Sequence, residues 1–254
     1  MKRRLKPTDY TFAVGKIRAL ETTLLKREDF QQLLNLDFYK IKEFLAKNRY
    51  YTDKVLKLEN PQDIEDFLES KRIDLENLTK ALFIEKEIFF LIKEILDYPL
   101  QAVKKVTFLK SKFLEDFFKC YLDLFNIRMF FSLKKEKEFL DGGFIPKKIF
   151  LESEGRTETE FIKIFKTTPY NRIIEEGFSY YKKENTFLYL ETLIRSYLIK
   201  FIKIQKYNPF GIEPIFSYYL ARINEFDLLR IILLGKLFYL DKEILTKALI
   251  ETYV

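Results

Sequence analysis

A chain of 254 residues with 27 Phe, 16 Tyr, 7 Gly and 7 Pro holds less than half the Gly-plus-Pro content of roughly 12% found in average proteins, which disfavours sandwiches, barrels and propellers and leaves an all-α protein. It has no histidine and one cysteine, which excludes Ser-His-Asp and Cys-His catalysis, an intramolecular disulfide and a cysteine zinc site. A net charge of +7 with pI near 9.1 permits nucleic acid, lipid headgroups or an acidic protein as partner and selects none of them.

Taken in chain order, Met1-Lys-Arg-Arg-Leu-Lys6 has the basic character of a signal-peptide start, but Pro7, Thr8 and Asp9 follow it where an apolar stretch would be needed. Asp63, Glu65, Asp66 and Glu69 surround Ile64, Phe67 and Leu68. That spacing spreads the acids round a helix and reads as a solvated face rather than a catalytic pair. Ile84, Ile88, Leu91, Ile92 and Ile95 form an apolar helical stripe. The stripe predicts a helix that stops near Asp97-Tyr98, because Pro99 disfavours a helical residue before it.

Cys120 sits among Phe117, Phe118, Tyr121 and Leu122 and reads as a buried thiol. Breaks are expected at Asn60-Pro61, Tyr98-Pro99, Asp141-Gly142-Gly143, Glu154-Gly155, Thr168-Pro169 and Asn208 to Gly211. None is long enough for a linker between independent domains. Glu158 and Glu160 have no apolar shell to raise a carboxyl pKa. The scattered glycines allow no P-loop and no G-x-G-x-x-G turn.

Two basic stretches lack acids. Arg195, Lys200, Lys203 and Lys206 alternate with Tyr197, Phe201 and Tyr207, and Lys104, Lys105, Lys110 and Lys112 form the second. Cations interleaved with aromatics can neutralise phosphates and stack bases, so a basic helical nucleic-acid-binding protein is the alternative reading. The favoured one puts the aromatics in the core and lets the lysines snorkel outward.

Nearer the C-terminus, Ile215, Tyr219, Ile223, Phe226, Leu229 and Leu233 make a further stripe. Pro214 suits its first turn and Gly235 its end, and Asp241 is placed to cap a last helix through Leu249. The longest uncharged run, Pro214 to Ala221, has eight residues, against about twenty for a membrane span.

An internal repeat carries the most information. Phe117 to Lys134 aligns without gaps on Tyr219 to Lys236. Asp123 matches Glu225, Ile127 matches Leu229, Arg128 matches Arg230 and Lys134 matches Lys236. A weaker third copy spans Tyr10 to Arg27, where Glu21 replaces the Arg. The expected organisation is a single all-α body over 1–254 with approximate repeats 1–108, 109–211 and 212–254, the last completed by neighbouring helices. An acid and an Arg five apart lie about 140° apart round a helix, so they cannot pair along it. Asp123, Arg128, Glu225, Arg230 and Lys236 are therefore candidates for contacts with another helix or with a partner.

At these residues the chain resembles a known family. Glu225 to Lys236, preceded by Gly211 to Leu220 and followed by the ending Tyr253-Val254, resembles the C-terminal signature of the C subunits of archaeal and bacterial A/V-type ATPases, whose vacuolar counterparts are the d subunits. Asp123-Leu-Phe-Asn-Ile-Arg128 resembles that family's middle copy, and Tyr10 to Glu21 its opening. The chain is shorter than typical members, so the helix count over 50–110 and 140–200 is left open. The resemblance implies three similar helical units around a central hollow, a pseudo-threefold funnel. It also implies a non-catalytic rotor component with no cofactor, metal or small-molecule substrate. Its partners would be the central shaft, built from the D and F subunits, and the membrane rotor ring, and it would sit peripherally on the cytoplasmic face of the membrane.

Overall fold

The computed structural model describes residues 6–109, 111–131 and 138–254. Every regular element among them is helical. In chain order the helices are α1 (Thr11–Glu21), α2 (Arg27–Leu33), α3 (Phe38–Ala46), α4 (Pro61–Leu82), α5 (Lys86–Asp97), α6 (Pro99–Ala102) and α7 (Lys112–Phe131). There follow α8 (Lys147–Ser153), α9 (Glu158–Phe165), α10 (Asn171–Glu184), α11 (Leu188–Lys203), α12 (Glu213–Leu237) and α13 (Lys242–Lys247). The fold class is all-α, as the composition implied.

Local chemistry sets many of the ends. Asn60 accepts the Asp63 N–H at 3.0 Å, while the Asp63 carboxylate accepts the Asn60 N–H at 3.2 Å. This reciprocal cap starts α4, with Pro61 placed where its missing N–H has no partner to lose. Thr157 and Glu160 form the same device at α9. Helix α5 ends at Asp97, ahead of Pro99, but it starts only at Lys86, so Ile84 lies outside it and half of its surface is exposed.

Two expectations near the C-terminus need correction. Helix α12 continues past Gly235 to Leu237. A Cβ at Gly235 would stand 2.3 Å from Leu245 Cδ2, so this glycine admits a neighbouring side chain instead of ending the helix. Asp241 occupies the N-cap of α13 without a side-chain capping bond, and that helix ends at Lys247, short of Leu249.

Contacts group the described residues into two units, one reaching Lys86 and including Ile202–Val254, the other Glu87–Phe201. In the first, α12 packs chiefly along α4 and also against α1 and α3. Its predicted stripe is buried at Ile215, Tyr219, Phe226, Leu229 and Leu233, but Phe216, Tyr218, Ala221, Leu228 and Ile232 are buried as well. A helix apolar on nearly all sides is enclosed on nearly all sides. Ile250, Thr252 and Tyr253 are buried in the same unit without being helical.

The second unit has an aromatic core. The Phe161 ring stacks on Phe130 at 3.6 Å between centroids and lies 4.4 Å from Phe165. Phe201 packs on Phe113 and Phe117 at 5.3 and 5.8 Å, and Tyr197 on Tyr170 at 5.5 Å. These two aromatics of the basic stretch are thus engaged in packing. Cys120 is buried, and burial pushes its thiol pKa up.

Candidate functional site

In each unit a long helix carries a buried carboxylate that accepts from distant backbone and tyrosine donors. In the first it is Glu225 of α12. Its Oε2 accepts the Leu25 N–H at 2.6 Å, and its Oε1 accepts the Tyr51 hydroxyl and the Arg222 guanidinium. Arg222 is itself fully buried, one turn earlier on α12. Its Nη2 donates to Thr23 Oγ1 at 2.7 Å, and its guanidinium carbon lies 3.9 Å from the Tyr50 ring centroid. Burial works against the Arg222 charge, but the Glu225 carboxylate beside it holds its pKa above the ordinary value. Burial, and then Glu225, keep the Tyr51 hydroxyl protonated well above its usual range.

In the second unit the carboxylate is Asp123 of α7. Oδ1 accepts the Ile145 N–H at 3.1 Å, and Oδ2 accepts the Phe144 N–H at 3.1 Å and the Tyr170 hydroxyl at 2.9 Å. These three donors are all neutral. Burial therefore dominates and raises the Asp123 pKa to about 6, against the opposing pull of the donors. One turn further, Asn126 makes a reciprocal pair with the Leu140 backbone at 2.7 and 2.8 Å.

The two arrangements correspond part by part. Leu25 precedes the seven-residue α2, and Ile145 precedes the seven-residue α8. A capping side chain, Asp37 or Thr157, then opens α3 or α9. A tyrosine, Tyr51 or Tyr170, closes the circuit on the acid. The chain order differs, since α12 follows its partners whereas α7 precedes them.

The arginines of the repeat also behave alike. Arg230 Nε donates to both Glu65 carboxylate oxygens at 2.6 and 2.9 Å, linking α12 to α4. Arg128 Nη2 meets Glu191 of α11 at 2.5 Å. Both pairs are largely solvent-exposed, where such contacts are worth little, typically about 0–1 kcal/mol. Lys236 Nζ donates to the Leu34 carbonyl at 2.7 Å; Lys134 lies outside the described residues. All five candidate residues thus contact other segments of their own unit. Arg222, Tyr51 and Tyr170 were missed, although Lys47…Tyr51 and Lys166…Tyr170 share a spacing that could have flagged the tyrosines.

An open cleft lies between α4 and α12, lined by Glu65, Asp66, Leu68, Glu69, Arg72, Asp227 and Arg230. Arg72 bridges it to Asp227 at 2.5 Å. Both arginines are thus spent on Asp227 and Glu65, while Gln62 Nε2 donates to Asp66 at 2.7 Å.

Comparison with known proteins adds the family. No curated protein matches the chain. Residues 75–248, about two thirds of the sequence, match the family model described as ATP synthase (C/AC39) subunit. The matched span contains Asp123, Arg128, Tyr170, Arg222, Glu225 and Arg230. With that extent of match, the chain belongs to the ATP synthase (C/AC39) subunit family and is a subunit of an A/V-type ATPase.

Proposed function

We propose that this protein is a non-catalytic coupling of the central stalk, which passes torque between the shaft, made of the D and F subunits, and the membrane rotor ring. The family match across residues 75–248 carries the reading. The buried groups support it. Glu225, Arg222 and Asp123 bond to backbone and side chains of their own unit, as suits a rigid transmitting body. Dense interiors resist deformation, because even a single methylene of mispacking is felt. Among the described residues no helix is long and apolar enough to cross a membrane; the proposal places the chain peripherally on the cytoplasmic face, through the ATPase complex.

The resemblance implies three units around a hollow, whereas contacts group the described residues into two. A collar with a central socket for the shaft is accordingly part of the proposal. The experiment is co-assembly: the purified chain mixed with the D/F shaft and detergent-solubilised rotor ring, then separated by size. A ternary complex that needs this chain supports the reading. Shaft and ring that associate equally well without it would overturn it.

A further inference from the structure

One edge of the first unit is apolar and exposed. Helix α1 buries Ala13, Val14, Ile17 and Glu21, and exposes Thr11, Phe12, Gly15, Lys16 and Ala19. At 3.6 residues per turn these exposed positions fill one arc of about 140°. Residues 204–211 are tied to the same helix and to the turn before it. The Arg18 guanidinium donates to the carbonyls of Gln205 at 2.9 Å and Asn208 at 2.7 Å, and the Gly211 N–H donates to the Pro7 carbonyl at 3.1 Å. That segment lacks an acid. Phe12 and Tyr207 are 84% and 86% exposed, with Ile204 at 64% and Phe210 at 43%. Exposed apolar side chains grouped on one anchored edge mark an interaction surface.

Gly15 sharpens the case. Glycine inside a helix destabilises it relative to alanine, and such residues are ordinarily explained by a close neighbour, as Gly235 is by Leu245. Here nothing lies within 4 Å of where a Cβ would stand. The fold gains nothing from the missing side chain; a helix approaching from outside would.

We propose that this edge docks a helix of another protein chain, packed against Gly15 and Ala19 between Phe12 and Tyr207, with carboxylates facing Lys16 and Lys206. The choice of an acidic helix follows from charge: the exposed arc of α1 contributes Lys16 and residues 204–211 contribute Lys206, and neither contributes an acid of its own. The proposal rests on the coupling reading for its probe, the fluorescently labelled D/F shaft.

The test is titration of that shaft with the full chain and its variants. Gly15→Leu melts at or above the wild-type temperature, since leucine favours helix and the space is open, yet binds shaft at least tenfold more weakly. Phe12→Ser with Tyr207→Ser loses a similar factor. Lys16→Glu with Lys206→Glu weakens binding at least fivefold, and added salt weakens the wild type. Equal affinity of the wild type and Gly15→Leu overturns the docking surface while leaving the coupling reading in place. Failure of the wild type to bind shaft at all overturns both. Anionic vesicles or single-stranded RNA binding through Phe12 and Tyr207, with shaft binding indifferent to them, would overturn the choice of occupant.

Discussion

Gly143 stands directly against Asp123: a Cβ built on the glycine would lie 2.0 Å from Asp123 Oδ1. The carboxylate reaches the N–H groups of Phe144 and Ile145 only because the residue before them has no side chain. Gly143→Ala is therefore expected to displace Asp123 from its donors and leave a buried carboxyl poorly satisfied. The cost is about 2 kcal/mol or more, read as a lower urea midpoint with unchanged slope.

Asp123 also makes the second unit sensitive to pH. Its folded pKa of about 6 lies above the unfolded carboxyl value, so its stabilising contribution is fully present below the unfolded pKa. That contribution is lost as pH rises through about 6. Going from pH 5 to pH 7.5 the wild type is expected to lose on the order of 1 kcal/mol through this group. Denaturant titrations of the wild type and Asp123→Asn at both pH values check it: the variant lacks this component of the slope.

The two arginines of α12 have expected effects of the same sign and very different size. Arg222→Met leaves Glu225 buried without its cation, and breaking such a pair costs about 3–5 kcal/mol. Arg230→Ala removes an exposed partner of Glu65 and costs about 1 kcal/mol or less. Thermal melts of the two variants, side by side, separate a buried support from a surface one. If Arg230→Glu left stability near wild type but lowered rotor coupling, its exposed side would be a partner contact.

Glycines in two helices provide a matched comparison. Gly235→Ala drives a methyl into Leu245, 2.3 Å from Cδ2, and is expected to destabilise by about 1–3 kcal/mol. Gly15→Ala meets open space and is expected to stabilise by about 0.5–1 kcal/mol. Both are read from melting temperature.

The sequence made α5 and α12 legible because Ile88, Ile92 and Ile95, and Ile215 to Leu233, obey helical spacing, with Pro99 and Pro214 marking ends. The five-residue acid-to-Arg spacing excluded a Glu225–Arg230 pair along α12, and the partners are separate: Glu65 for Arg230, and Leu25, Tyr51 and the same helix's Arg222 for Glu225. What stayed hidden was which residues supply the other half of each hub. Leu25 and Tyr51 lie 200 and 174 residues before Glu225, whereas Ile145 and Tyr170 follow Asp123 by 22 and 47. A gapless alignment of α7 on α12 cannot see partners whose chain order is exchanged. Arg222 was hidden for another reason. Its counterpart in the aligned repeat is Cys120, so only the first unit neutralises its buried acid with a cation.

The coupling role is tested most directly by ATP-driven ion uptake into proteoliposomes holding the ATPase assembled with and without this chain. Coupling through this chain predicts that ATP hydrolysis persists without it while ion uptake falls to background, and that adding the chain back restores uptake. Uptake per ATP that is the same in its absence would contradict that role.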